Sequence, residues 1–210
     1  MARLYSSEGS VNERHHLSQA ICILNDPGSK ILDSLSTEEF MECIDYIREL
    51  ILATDLANHF RIFKDLKNLT AENIHENHRL LLSLLISCCD LNDQIKSWTT
   101  VHRVAVRYHL YLFVHIINLT FLQELVYAEF FAQGDLERQM GLSPNLMMDR
   151  KKACIPALQI EFLDTVVLPT YDIFVQIFPE TSSVVETIRI NRDNWQDLKD
   201  KDCKTHDELN

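Results

Sequence analysis

Glycine (4) and proline (5) are scarce in these 210 residues. So little punctuation argues against a β-sandwich, which needs a turn about every 8–12 residues. It argues equally against folds that cradle phosphate in glycine-rich loops. Basic residues are also in short supply, 20 against 31 acidic, and the net charge of −11 speaks against a partner with a phosphate backbone. The six cysteines contain no C-x-x-C pair and give no sign of a disulfide framework. The N-terminal stretch MARLYSSEGSVNERHH lacks the apolar core of a secretory signal. Most cysteines lie in apolar surroundings, where a thiol acts as a small hydrophobe, so a reducing, cytoplasmic setting is expected. What is present is a chain 46% hydrophobic and 24% charged, able to bury a core and patterned for helices.

Apolar residues recur at helical spacing over 10–25, where Ser10 and Glu13 fit a capping box and Asp26-Pro27-Gly28 ends the run. A second box, Ser36 with Glu39, opens one long helix from about Thr37 to Lys67. Asn68 to Asn77 reads as a loop. His78 to Trp98 reads as a third helix, apolar nearly all round and therefore central. Gln133 to Ala153 reads as a loop with short helical pieces, because it holds Gly134, Gly141 and Pro144. Helix returns over Ile155 to Phe178, with Pro156 tolerated in the first turn and Pro169 a kink. A last helix spans 183–197, and 198–210 forms a charged tail.

Asp90 asks for an explanation. It follows the run LLLSLLISCC without a break, and a carboxylate on a buried helix costs several kcal/mol unless a charge meets it (~5 kcal/mol). Three readings stay open: pairing with a buried Arg or Lys, rotation to an edge, or ligation of a metal ion. Histidines offer His15 with His16, His75 with His78, and His109 with His115, none with a third ligand at convincing spacing.

Five words then become specific: LYSSEGSVNERHH (4–16), ILATDLANHFRIFKDL (51–66), SCCDLNDQIKSW (87–98), EFFAQGDLE (129–137) and MMDRKKACIPALQIEF (147–162). In this order they resemble class I 3′,5′-cyclic-nucleotide phosphodiesterases, and within that family the cGMP-stimulated, dual-specificity type. The resemblance implies an all-α, HD-domain-like helical bundle, here the C-terminal part of a catalytic domain with its N-terminal part missing. It implies hydrolysis of cAMP or cGMP to 5′-monophosphates in signal transduction, at a centre of two divalent metals, zinc and magnesium. It also implies a homodimer for the intact protein. Under it, Asp90 looks like a metal ligand, and Glu13 and Thr54 like groups that hold metal-bound waters; His16 would lie nearby. Gln159 resembles the amide that hydrogen-bonds the purine, since one acceptor and two donors serve adenine or guanine. Phe162, three residues on, resembles the aromatic that stacks on the base. Val126, Tyr127, Phe130, Asp55, Leu56 and Asp93 match further nucleotide-pocket positions. Read without the family, Glu13 is a capping residue, Thr54 a helix hydroxyl, and Phe130 and Phe162 core aromatics.

Two departures from the family stand out. Its H-N-x-x-H and H-D words, which carry the remaining metal ligands and the general-acid histidine, would lie upstream of this chain. One carboxylate does not hold zinc, which takes three or four protein ligands, so the expectation is a chain that is inactive by itself. It would at most bind nucleotide or a partner chain. The second departure is the eighteen-residue segment Val106 to Gln123, VRYHLYLFVHIINLTFLQ, between words that are contiguous in the family. It is short for a membrane span and carries Arg107, His109, His115 and Asn118. A genuine insertion that forms an extra helix or lengthens one is an alternative, but the segment's ends can be encoded by splice-donor and splice-acceptor sequences, so we prefer to read it as a retained in-frame intron. Sequencing the transcript across Ala105–Glu124 is expected to show these codons removed; a spliced message that keeps them contradicts the reading.

Overall fold

A computed structural model describes residues 9–106, 126–150 and 152–207. Among them every regular element is a helix. The helices are α1 (Val11–Asn25), α2 (Thr37–Ala53), α3 (Leu56–Leu66), α4 (His78–Asp90), α5 (Trp98–Val106), α6 (Val126–Gln139), α7 (Ile155–Phe162), α8 (Leu168–Ile177) and α9 (Ser183–Asp207). Short 3-10 turns cover Asn92–Ile95, Leu146–Met148 and Pro179–Thr181, and a π turn spans Leu163–Val167. The chain divides into two compact units, residues 1–91 with 172–179, and residues 92–171 with 180–210. Most of the segment read as a retained intron, from 107 onward, lies outside the described residues.

In the first unit α2 packs on α1, α3 and α4. Ser36 begins α2 as anticipated: its Oγ accepts from Glu39 N–H at 3.3 Å, and its own N–H donates to the Glu39 carboxylate at 2.9 Å. The long helix expected through Lys67 instead breaks at Thr54-Asp55. Asp55 Oδ1 accepts from Ala57 N–H at 3.0 Å and so starts a new helix. Arg79 of α4 pairs with Glu49 of α2 and lies over the Tyr46 ring, 4.5 Å from its centroid. The capping box proposed at Ser10 does not form. Ser10 is left-handed (φ 52°) after a left-handed Gly9 (φ 82°), and its hydroxyl donates to Asp55 rather than capping α1. That conformation costs a non-glycine residue about 1–2 kcal/mol, which a hydrogen bond to a carboxylate can offset.

Helix α4 is less buried than its composition promised. Only Leu84, Ser87 and Cys88 are buried, a stripe at i, i+3 and i+4, while the other apolar residues are half-buried. Burial pushes the Cys88 thiol up to about 12, so it is inert. Cys22, Cys89 and Cys154 are exposed, contrary to the apolar setting assigned to most cysteines. The helix expected to reach Trp98 ends at Asp90, and the chain turns through Asn92–Ile95.

In the second unit α9 is the organiser. Trp195 is fully buried, edge-on to Trp98 with ring centroids 5.0 Å apart and 5.7 Å from His102. Helix α9 packs along α7, and it continues through 198–207, the stretch read as a tail. Gly134 does not interrupt α6, where a loop was anticipated. A Cβ there would lie 2.0 Å from the Met148 carbonyl oxygen, so glycine is needed for close approach of the turn at Leu146–Met148. The approach is latched by Arg138 on the buried Asp149 at 2.6 Å and Arg150 on Asp135 at 2.8 Å. Just before Pro169, the position read as a kink, the helix widens. Proline has no N–H for the Thr165 carbonyl, and the preceding turn takes the π register, with Leu168 N–H donating to Leu163 O.

Two outcomes follow. Gly134→Ala gains about 1 kcal/mol of helix propensity yet meets a backbone carbonyl, and overpacking costs roughly 1–3 kcal/mol. The unfolding midpoint is therefore expected to fall; a rise in calorimetry contradicts the close approach. His59 is 3% exposed between Phe60 and Phe63, and burial holds its pKa below 6.5. The unfolded state thus binds its proton first. Stability is full above pH 6.5 and is lost as pH falls through the depressed folded value. His59→Gln is expected to flatten that decline in thermal melts from pH 7 to 5; an unchanged slope assigns the decline to other groups.

Candidate functional site

The candidate residues fall into two groups, one in each unit. In the first unit, the Ser10–Asp55 hydrogen bond brings the start of α1 to the α2–α3 junction. Glu13 in the first turn of α1, and Thr54, Asp55 and Leu56 at the junction, are therefore placed in one neighbourhood. Glu13, Thr54 and Asp55 are half-buried, while Leu56 is 44% exposed. Thr54 donates its hydroxyl proton to the Ile51 carbonyl at 2.8 Å, leaving the oxygen able to accept. Both Asp55 oxygens are engaged, one by Ala57 N–H and one by Ser10. His16 is exposed.

Asp90 is exposed, and the expectation of a carboxylate sunk in helix is corrected. It is the last residue of α4, and it lies about 240° around the helix from Leu84, off the buried stripe of Leu84, Ser87 and Cys88. The arginine or lysine partner also weighed for it is not found among the described residues. Neighbouring protein still removes enough water to hold its carboxyl above the ordinary 3.8. Among the described residues no three or more His, Cys, Asp or Glu side chains converge on a point that could hold a metal ion. A lone carboxylate does not fit a zinc centre, so no chemical step of this chain is derived through a metal.

In the second unit, Gln159 and Phe162 lie three residues apart on α7, hence on one face. Gln159 is 8% exposed and Phe162 half-buried. The helix forms there because Cys154 leaves extended backbone at its cap and Pro156 occupies the first turn. Phe130 on α6 is half-buried, whereas its neighbour Phe131 is in the core. Val126 and Tyr127 begin α6, and their side chains lie outside the described residues. Asp93 sits in the turn Asn92–Ile95 and accepts from Gln94 Nε2 at 2.8 Å.

Several residues that bond elements carrying these groups were not singled out from sequence. Asn191 is 1% exposed and donates its amide to Gln94 O at 3.0 Å and Lys96 O at 2.9 Å. Arg192 grips Asp164 with two bonds, 2.6 and 2.8 Å. That pairing holds the Asp164 carboxyl below the usual carboxylate range, chiefly through the hydrogen bond. The available signal was the run NRDNW at 191–195, but Asn and Arg on a highly charged helix read as a solvated face.

Comparison with known proteins gives a family-wide match. The family model described as 3′5′-cyclic nucleotide phosphodiesterase matches residues 1–113 and 120–188, and its break falls inside the extra segment. A dual 3′,5′-cyclic-AMP and -GMP phosphodiesterase of Drosophila melanogaster is 34% identical over 95% of this chain and 13% of its own length. A probable 3′,5′-cyclic phosphodiesterase of Caenorhabditis elegans is 33% identical over 100% of this chain and 27% of its own length. A cGMP-specific 3′,5′-cyclic phosphodiesterase of Drosophila virilis is 34% identical over 96% of this chain and 21% of its own length. The chain thus spans between about an eighth and a quarter of these relatives.

Proposed function

The chain belongs to the 3′,5′-cyclic nucleotide phosphodiesterase family, and from that premise we propose that it supplies the purine-reading part of a site that hydrolyses cAMP or cGMP to 5′-monophosphates. The observation that carries this is α7. It places a buried primary amide, Gln159, and a half-buried aromatic, Phe162, on one helical face. An amide can present acceptor and donor to either purine, and a ring can stack on the base. Phe130, Val126 and Tyr127 on α6, with Asp93, are the remaining candidates for the base pocket.

The metal half of the reading rests on the family rather than on a donor set. Asp90 is the residue we assign to a divalent cation, with Glu13 and Thr54 orienting waters beside it. Zinc and magnesium are the ions proposed for the intact site, and the intact protein is proposed to be a cytoplasmic signalling enzyme. Among the described residues no helix is long and apolar enough to cross a membrane. The net charge of −11 favours a small nucleotide over a nucleic acid polymer.

A second reading is favoured by the lack, among the described residues, of three converging metal ligands: the chain binds nucleotide, or a partner chain, without turning it over. Titration of the purified chain with cAMP and cGMP separates the possibilities when turnover is assayed in parallel with added zinc and magnesium. Binding is expected, with Gln159→Ala weakening it about tenfold, the equivalent of one buried hydrogen bond at about 1.4 kcal/mol. Turnover supports the enzyme reading and its absence the binding-only reading. Equal affinity of Gln159→Ala and the unaltered chain contradicts both.

A further inference from the structure

We propose that Asn191 and Arg192, adjacent on α9, are positioning residues that hold two separate parts of the base site in register. This rests on the reading of Gln159, Phe162 and Asp93 given above and extends it to how they are held.

Consecutive residues on a helix point about 100° apart, so neighbours on α9 can grip different elements. Asn191 takes the turn Asn92–Ile95. Its buried amide donates to the carbonyls of Gln94, within the turn, and Lys96, just past its end. The turn so held carries Asp93, itself bonded to the Gln94 side chain at 2.8 Å. Arg192 takes the other element. Its guanidinium forks onto Asp164, two residues beyond Phe162 and five beyond Gln159.

Asp164 lies within the π turn, and that location gives the fork its consequence. A π turn is a rare register whose natural alternative is the α-helix, and π turns gather at functional sites. Moving between the two registers would rotate α7 relative to the helix that follows it. Gln159 and Phe162 would then turn with α7. A bidentate pair fixes Asp164 in both distance and plane, which a single bond would not. Helix α9 is a firm base for both grips, since Trp195, one turn beyond Asn191, is fully buried and edge-on to Trp98. The pair itself is partly exposed, with side-chain exposures of 31% for Arg192 and 38% for Asp164. It therefore adds little to global stability, and its principal effect is on geometry.

The test uses the full chain with Arg192→Gln, Arg192→Lys and Asp164→Asn. Affinities for cGMP and for cyclic CMP are measured by calorimetry, unfolding midpoints by scanning calorimetry, and hydrogen exchange over residues 159–167 without nucleotide. All three variants are expected to weaken cGMP binding at least tenfold, Arg192→Lys included, because lysine keeps the charge but not the fork. Cyclic CMP, whose pyrimidine does not offer the purine edge, is expected to change less than threefold. Midpoints are expected to move by no more than about 4 °C, as for a partly exposed pair in a chain of this size. Exchange over 159–167 is expected to quicken. Unchanged cGMP affinity with unchanged exchange overturns the proposal, as does an equal loss for both nucleotides that follows the fall in midpoint. If the unaltered chain binds no nucleotide, the reading of Gln159 fails, and exchange alone decides the positioning: quickening confined to 159–167 upholds it and no change overturns it.

Discussion

A buried asparagine amide shared between two carbonyls is the interaction on which the second unit depends. Asn191 is almost fully enclosed, and the oxygens it meets belong to backbone at the end of a turn. Leaving the carbonyl of the buried Gln94 dry and unbonded costs about 1–3 kcal/mol, and the same amide also bonds the carbonyl of the exposed Lys96. The requirement fixes where α9 runs against the turn, and Trp195 then fills the space one helical turn further on. From that seating, Arg192 reaches Asp164 and α7 lies along α9. The face of α7 that carries Gln159 and Phe162 is thus set by contacts made behind it.

The first unit follows a different logic. Its candidate residues are tied by short-range polar contacts: Ser10 to Asp55, Asp55 to Ala57 N–H, Thr54 to Ile51 O. Each gives an ordinary structural reason for a residue that family resemblance marks as functional. Asp55 stops α2 and starts α3, and Ser10 uses the same carboxylate to hold a left-handed entry to α1. A structural role does not exclude a functional one, but it explains why these residue types sit there without any ligand. Asp90 is the exception. It ends α4 on the exposed side, its charge disfavoured by partial desolvation and met by no cation among the described residues.

Much of the fold was legible in the sequence, and the misses have identifiable causes. The Ser36–Glu39 box marks the start of α2 because both reciprocal bonds lie within four residues. The break at Thr54-Asp55 was equally local, yet the flanking apolar periodicity masked an N-cap aspartate. Gly134 could not be read correctly, since its reason is a carbonyl fourteen residues away rather than any preference of α6. The end of α4 was hidden for the same reason: Asn191, almost a hundred residues later, completes the turn that follows it. Of the candidate site, Gln159 and Phe162 were marked by the family resemblance of MMDRKKACIPALQIEF, and their spacing added only that they share a helical face. The residues that aim them were not, because Asn, Arg and Asp on charged helices carry no pattern that distinguishes a partner from solvent.

The central claim is that the Gln159 amide reads a purine. Nitrogen-15 spectra of the glutamine side-chain amides, recorded while cGMP is added to the chain, test it most directly. The account predicts that the Gln159 resonance moves with saturable dependence on cGMP while that of Gln196, bonded to Asp200, stays in place. Movement elsewhere with Gln159 unmoved at saturation would contradict it.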